Sequence, residues 1–147
     1  MTPKLPVSVL VVVHSAAGEV LLLERAARPG FWQSVTGSLD RTDEAPAAAA
    51  LREVGEETGI RAEPRALRRW NLNYTFEIYP QWRHRFAPGT THNTEHVFSL
   101  ELPGRVSIVL APEEHVASRW LPWREAAAQC FSWSNRDAIR VVASCAP

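Results

Sequence analysis

The segment Leu51 to Ile60 reads LREVGEETGI and sets three carboxylates, Glu53, Glu56 and Glu57, within five residues. On a helix at about 100° per residue, their side chains fan over roughly a third of the circumference, with Glu53 and Glu57 one turn apart. Leu51 and Val54 can then face a core while the acids stay together. Like charges at this spacing oppose helix formation, and Arg61 is the one basic side chain that follows within reach. The acids also crowd the C-terminal end of the helix, where the macrodipole disfavours negative charge. A divalent cation resolves both conflicts. Mg²⁺ and Mn²⁺ take hard oxygen ligands, and Mg²⁺ typically combines one or two carboxylates with water and substrate phosphate.

The helix that must carry these acids is predicted over Glu44 to Thr58. Four consecutive alanines, Ala47 to Ala50, favour it. Pro46 suits a first turn because its missing N–H costs nothing there, and Gly59 suits the position that ends the helix. Upstream, Val7 to Val13 is continuously apolar and rich in β-branched residues, so it is expected to be a strand buried on both faces. A turn around Gly18 leads to VLLLER, Val20 to Arg25, the expected hairpin partner. Pro29 and Gly30 break the chain before FWQSVTGS. Strands are expected at LNYTFEIY (Leu72 to Tyr79) and TEHVFSLEL (Thr94 to Leu102), around a loop QWRHRFAPGTTH. HVASRWL (His115 to Leu121) is a further short strand. Helices are expected around WREAAAQC and SNRDAIRVVASC. Strands and helices mix without a regular βαβ repeat, which predicts an α+β fold with helices packed on a mixed sheet.

Bulk properties narrow the function classes. A chain of 147 residues suits a single domain spanning 1–147. The formal net charge is zero, so charge gives no reason to expect nucleic acid or an acidic membrane as partner. The apolar run LPVSVLVVV is too short to span a bilayer and lacks the basic start and cleavage site of a secretory signal, so a cytoplasmic setting is expected. Two cysteines, Cys130 and Cys145, have no CxxC spacing and are expected to be free thiols.

The wider context of the glutamates is more specific than the cluster. Gly37, six residues, Glu44, seven residues and then Arg52-Glu53-Val54-Gly55-Glu56-Glu57-Thr58-Gly59-Ile60 resembles the Nudix box. That loop–helix–loop signature belongs to hydrolases cleaving a nucleoside diphosphate linked to another group. The loop here is one residue longer than the usual pattern. Glu44 is taken as the first acid because it keeps helical spacing to Arg52, with Asp43 the alternative. The resemblance implies a mixed β-sheet sandwiched between α-helices, Mg²⁺ (or Mn²⁺) held by Glu53 and Glu57, Glu56 close by, and Arg52 orienting the glutamates by salt bridges. A phosphoanhydride resists water because its oxygens repel the nucleophile. A divalent ion neutralises that charge and aligns the phosphates, leaving positioning and electrostatics as the main catalytic terms.

Three further segments, FWQSVTGS (Phe31 to Ser38), RHRFAPGTTHNTEHVF (Arg83 to Phe98) and WSNRDAI (Trp133 to Ile139), are similar to one Nudix subfamily, the bacterial dihydroneopterin triphosphate diphosphatases of folate synthesis. That similarity implies Glu114 as a further metal ligand, with Glu113 its neighbour. It implies substrate contacts at Lys4, Arg25, Thr36, Phe76, Glu77, Ile78, Tyr79 and Ser132. The residue types are suitable. Lys4, Arg25 and Arg83 or Arg85 can offset a triphosphate. Trp32, Phe76, Tyr79 and Trp133 are candidates to stack on a flat pterin, with Ser132 or Asn135 supplying hydrogen bonds. His115 is a candidate proton carrier, while His84, His92 and His96 show no metal-ligand spacing. The implied reaction is hydrolysis of 7,8-dihydroneopterin triphosphate to the monophosphate and pyrophosphate, with Glu56 or Glu114 taking the proton of the attacking water. Two rivals share the box: a broad (d)NTP pyrophosphohydrolase and a non-catalytic nucleotide-binding module. Such modules usually lose box glutamates, whereas Glu53, Glu56 and Glu57 are all kept. The sequence leaves the oligomeric state open.

Overall fold

The computed structural model describes residues 2–145. In chain order the elements are β1 (Val7–Ser15), β2 (Glu19–Arg25), β3 (Trp32–Gln33), β4 (Val35–Ser38), α1 (Pro46–Thr58), β5 (Leu67–Glu77), β6 (His92–Leu102), β7 (His115–Pro122), α2 (Trp123–Gln129) and α3 (Trp133–Ser144). The strands form one seven-stranded mixed sheet ordered β3-β2-β1-β6-β5, with β4 also on β1 and β7 also on β2. The β1–β6 ladder is parallel, from Val7↔Thr94 to Ser15↔Leu102, and the other ladders are antiparallel.

β1 is apolar on both faces because both faces are covered. Leu10 and Val12 join a core with Val97, Ala126, Ala127, Ala138, Ile139 and Val142, so that face meets α2 and α3. Val9, Val11 and Val13 join the opposite core with Ala49, Ala50, Val54 and Phe98, where α1 lies. The period of two along a strand sorts these neighbours to opposite sides. Helices therefore sandwich the sheet, as the resemblance implies.

The hairpin expectation needs correction. β1 and β2 pair at the turn, His14↔Val20, and then part company. β1 takes β4 along Ser8 to Val11, while β2 takes β7 along most of its length. The stretch β3–Ser34–β4 crosses the gap between them, pairing first with β2 and then with β1. The backbone N–H of Ser34, at the crossing, donates to Asn135 Oδ1 at 2.9 Å. This divergence opens one end of the sheet, and the candidate site lies there.

Other boundaries shift for local reasons. α1 starts at Pro46, so Glu44 belongs to the preceding loop; a residue before proline is turned away from helical geometry, and Ala45 is extended. Gly59 ends α1 at φ +76°, donating its N–H to Gly55 O, a conformation costly for other residues. β5 begins at Leu67 and stops at Glu77, and 3-10 turns occupy Pro64–Ala66 and Pro80–Arg85. Cys130 is buried and Cys145 exposed, both as free thiols. Among the described residues, no helix is long and apolar enough to cross a membrane.

Leu10 is fully buried where β1 meets α2 and α3. Leu10→Ala should lower unfolding free energy by about 2–5 kcal/mol, whereas Val116→Ala on the exposed side of β7 should stay within about 0.5 kcal/mol. Urea denaturation checks both, and equal effects would contradict the core assignment.

Candidate active site

The packing of α1 decides where its acids go. Ala49, Ala50 and Val54 are fully buried against the sheet, and Glu53 and Glu57 are carried inward with them, to 8% and 1% exposure. Glu56 is exposed. Small alanines let the helix approach closely, and the sheet side matches them: a Cβ on Gly37 would stand 2.1 Å from Glu53 Cδ. Gly37 is therefore the residue that leaves room for the Glu53 carboxylate.

Arg52 organises the surrounding charge. Its Nε lies 3.0 Å from Glu44 Oε2 and 3.1 Å from Asp40 Oδ2, and its Nη1 lies 2.9 Å from Glu53 Oε1 and 3.3 Å from Glu56 Oε2. Its Nη2 donates to Ser38 O and Glu44 Oε1, both at 3.1 Å. The guanidinium fork is suited to such multiple acceptance. These bonds push the Arg52 pKa up, and they hold Glu44 below the usual carboxylate range. Glu44 also accepts from the Asp40 N–H at 2.7 Å. Asp43 instead pairs with Arg41 at the surface. Glu44 is thus the acid joined to the cluster, through a loop-to-helix contact and not through helical spacing.

Glu57 has no such support. Neither of its carboxylate oxygens has a hydrogen-bond partner. Burial, then the nearby charges of Glu53 and Glu114, raise its pKa well above the ordinary value. Burial likewise raises Glu53 to about 6, against the lowering effect of Arg52. Glu57, Glu114 and His115 bring one ligand atom each to within 4.8 Å of one another. His115 Nδ1 is 3.6 Å from Glu57 Oε1, too far for a hydrogen bond, and it too lacks a partner. The orphaned, buried oxygens of Glu57 beside the Glu114 carboxylate fit a divalent cation. The structure thus brings His115 beside Glu57 and Glu114. Glu53 adjoins them, one oxygen committed to Arg52. Burial and then Arg25 lower the His115 pKa to about 4, so at neutral pH the ring is uncharged. With Nε2 held by Gln33 3.3 Å away, the uncharged ring turns its Nδ1–H toward Glu57 and keeps no lone pair for a metal.

These groups open on one cavity of about 930 Å³. Lys4, Arg25, Thr36, Phe76, Glu77, Ile78, Tyr79, Ser132 and Glu114 all line it, together with Arg52, Glu53, Glu56 and Glu57. Lys4 is tied in by its backbone N–H, which donates to Arg85 O at 2.8 Å. Desolvation, then the neighbouring Arg85 and Arg25, lower the Lys4 pKa; Arg25 is lowered by burial and Arg85. Cations that repel one another across a cavity wall make a natural seat for a polyanion. Arg85 lines the cavity, whereas Arg83 binds Ile78 O at 3.0 Å and Glu77 at 3.5 Å and does not. Trp32 is also excluded: it is 5% exposed in the core, under Arg119. Phe76, Tyr79 and Trp133 line the cavity with Trp82 and Phe131, which sequence reasoning did not single out. Ser132 Oγ caps α3, accepting from Asn135 N at 3.3 Å and Nδ2 at 2.7 Å, which leaves its hydroxyl proton to donate.

Gln33 was also missed, and it ties the site together. It accepts from Arg25 Nη1 at 3.2 Å, donates to Thr36 Oγ1 at 3.1 Å, and stands 3.3 Å from His115 Nε2. With Gln33 donating to Nε2, the neutral ring keeps its proton on Nδ1.

The NUDIX domain model matches residues 4–142. The dihydroneopterin triphosphate diphosphatase of Escherichia coli K12 is 48% identical over 139 residues, covering 92% of this chain and 91% of that one. The enzyme of that name from Haemophilus influenzae is 38% identical over 136 residues, covering 90% and 84%. The solved structure of the E. coli dihydroneopterin triphosphate pyrophosphohydrolase superposes with a TM-score of 0.92 at 44% identity, covering 99% of this chain and all of that one. The glutamate helix, the arginine that gathers its acids and the glycine beneath it thus sit in a chain that belongs to the NUDIX domain family.

Proposed function

We propose that this chain, as a single domain, hydrolyses 7,8-dihydroneopterin triphosphate to dihydroneopterin monophosphate and pyrophosphate with Mg²⁺. The observation that carries this reading is that one cavity joins the buried glutamates, a ring of cations and an aromatic wall. The resemblance to the two bacterial diphosphatases over nine-tenths of the chain supports the same substrate. When bound, the divalent ion supplies charge neutralisation and alignment of the phosphates. Glu57 and Glu114, with Glu53 beside them, would hold it. Arg52 keeps Glu53 and Glu56 in place. Lys4, Arg25 and Arg85 draw the triphosphate in and offset its charge. Phe76 to Tyr79 and Trp133 enclose the ring, and Ser132 donates to it. Glu56 or Glu114, both exposed to the cavity, accepts the proton of the attacking water.

A broad (d)NTP pyrophosphohydrolase would need the same acids and cations, so the substrate itself must be tested. Pyrophosphate release should show a higher kcat/KM for dihydroneopterin triphosphate than for any common dNTP, and a clearly better dNTP would overturn the reading. Glu57→Gln should lower kcat by about a hundredfold or more, as expected when such electrostatic stabilisation is lost. Gly37→Ala separates position from fold. Its Cβ would displace the Glu53 carboxylate, so kcat should drop about tenfold or more while the urea midpoint moves less than for Leu10→Ala. Unchanged turnover in folded Glu57→Gln or Gly37→Ala would contradict the assigned roles.

A further inference from the structure

Away from the glutamate cluster, the cavity holds another buried carboxylate that the chemistry above does not use. Glu95 lies on β6, opposite Ser8 of β1 and Tyr74 of β5, and it lines the cavity although it is 4% exposed. Its Oε1 has no hydrogen-bond partner. Asn93, two residues earlier and on the same face, is 6% exposed; its Nδ2 donates to Ser8 Oγ at 2.8 Å, and its Oδ1 is unpartnered. Val97, two residues later on that face, is plain core. Burial raises the Glu95 carboxyl to about 7, and Ser134 beside it lowers it in part. A buried acceptor without a donor is a costly feature to keep in a core position.

We propose that Glu95 reads the ring of the substrate, accepting paired hydrogen bonds from a ring N–H and the adjacent amino group of a 2-amino-4-oxopyrimidine edge. This rests on the substrate reading above. The edge offers two parallel donors spaced like those of a guanidinium, the pattern a carboxylate accepts bidentately. Adenine and cytosine set a ring acceptor beside their amino group, so one carboxylate oxygen would meet a lone pair. Uracil and thymine offer one N–H between two carbonyls. Pterins and guanine alone among these rings share the two-donor edge. Glu95 therefore separates them from the other bases, and the shape of the cavity separates them from each other. Trp133, half exposed and edge-on to Tyr74 at 5.2 Å, provides with Phe76 a flat apolar surface nearby. Glu95 shares its sheet face with the core under α2 and α3, whereas Glu57 belongs to α1 on the other face. Ring and phosphates would thus be read by groups from the two faces of one sheet.

The test is the near-isosteric Glu95→Gln, whose amide would turn a donor toward one of the two donors. Its KM for dihydroneopterin triphosphate and for dGTP should rise about tenfold or more, with kcat little changed and kcat/KM for dATP altered less than about threefold. Equal losses on all three substrates, or none, would overturn the inference. Should the variant fail to fold, the wild-type enzyme decides. Neopterin and guanosine should then inhibit competitively at concentrations about tenfold or more below adenosine, and equal inhibition would overturn it. The two readings fail separately. A wild type that prefers dGTP to the pterin overturns the proposed substrate, yet supports Glu95 if the variant loses guanine. A wild type that prefers the pterin, with an unaltered variant, overturns the role of Glu95 alone.

Discussion

The burial of Glu57 is the constraint to which the rest of the site answers. Its side chain is shut away from water at 1% exposure, with no hydrogen bond to either oxygen and two acidic neighbours. Several kcal/mol are typically lost when a charge is desolvated in this way without compensation. Hydrophobic packing supplies the force that holds it there. Ala49, Ala50 and Val54 fix α1 against β1 and β4, and the helix cannot turn its acidic side outward without exposing them. The neighbouring glutamates are treated differently: Arg52 bridges Glu44, Glu53 and Glu56 and makes no bond to Glu57. An arrangement that bonds three acids and leaves the most buried one unpartnered fits a cation from outside the chain.

Sheet topology turns this helix end into one wall of a reaction cleft. Because β1 and β2 separate after their turn, β3 and β4 cross between them and bring Gln33, Thr36 and Gly37 under the acids. β7 follows β2 and delivers His115 at its first residue, next to Glu114. β1 and β6, running parallel, extend the same opening to the other sheet face, where Asn93, Glu95 and the start of α3 stand. On the proposed reading, the polyanion end and the flat end of the substrate would meet separate surfaces, one built on α1 and one beside α3.

Periodicity and composition made the apolar strands and α1 legible. Val9 to Val13 and the alanine run announce themselves by type alone. β3 and β4, with two and four residues of mixed character, offer no period to read, and β4 passes over β2 to pair with β1. The start of β5 was hidden because Leu67 to Trp70 reads Leu-Arg-Arg-Trp, polar enough for a loop, on a strand at the sheet edge. The candidate site residues named from the box and from the family resemblance line one cavity. Gln33 and Glu95 drew no notice in the sequence, since the bonds of Gln33 and the burial and unpartnered oxygen of Glu95 are not displayed by residue type. Trp32 shows the reverse error: an aromatic within a suggestive segment whose side chain belongs to the core.

The claim that Glu57 awaits a cation is tested most directly by thermal unfolding in EDTA and in saturating Mn²⁺, for wild type and Glu57→Gln. Ligand at a hundred times its Kd adds about 2.7 kcal/mol to the folded state, which for a chain of this size corresponds to a Tm rise of about 5–10 °C. The account predicts that rise in the wild type and little or none in Glu57→Gln. A wild type indifferent to Mn²⁺, or a variant that gains the full shift, would contradict it.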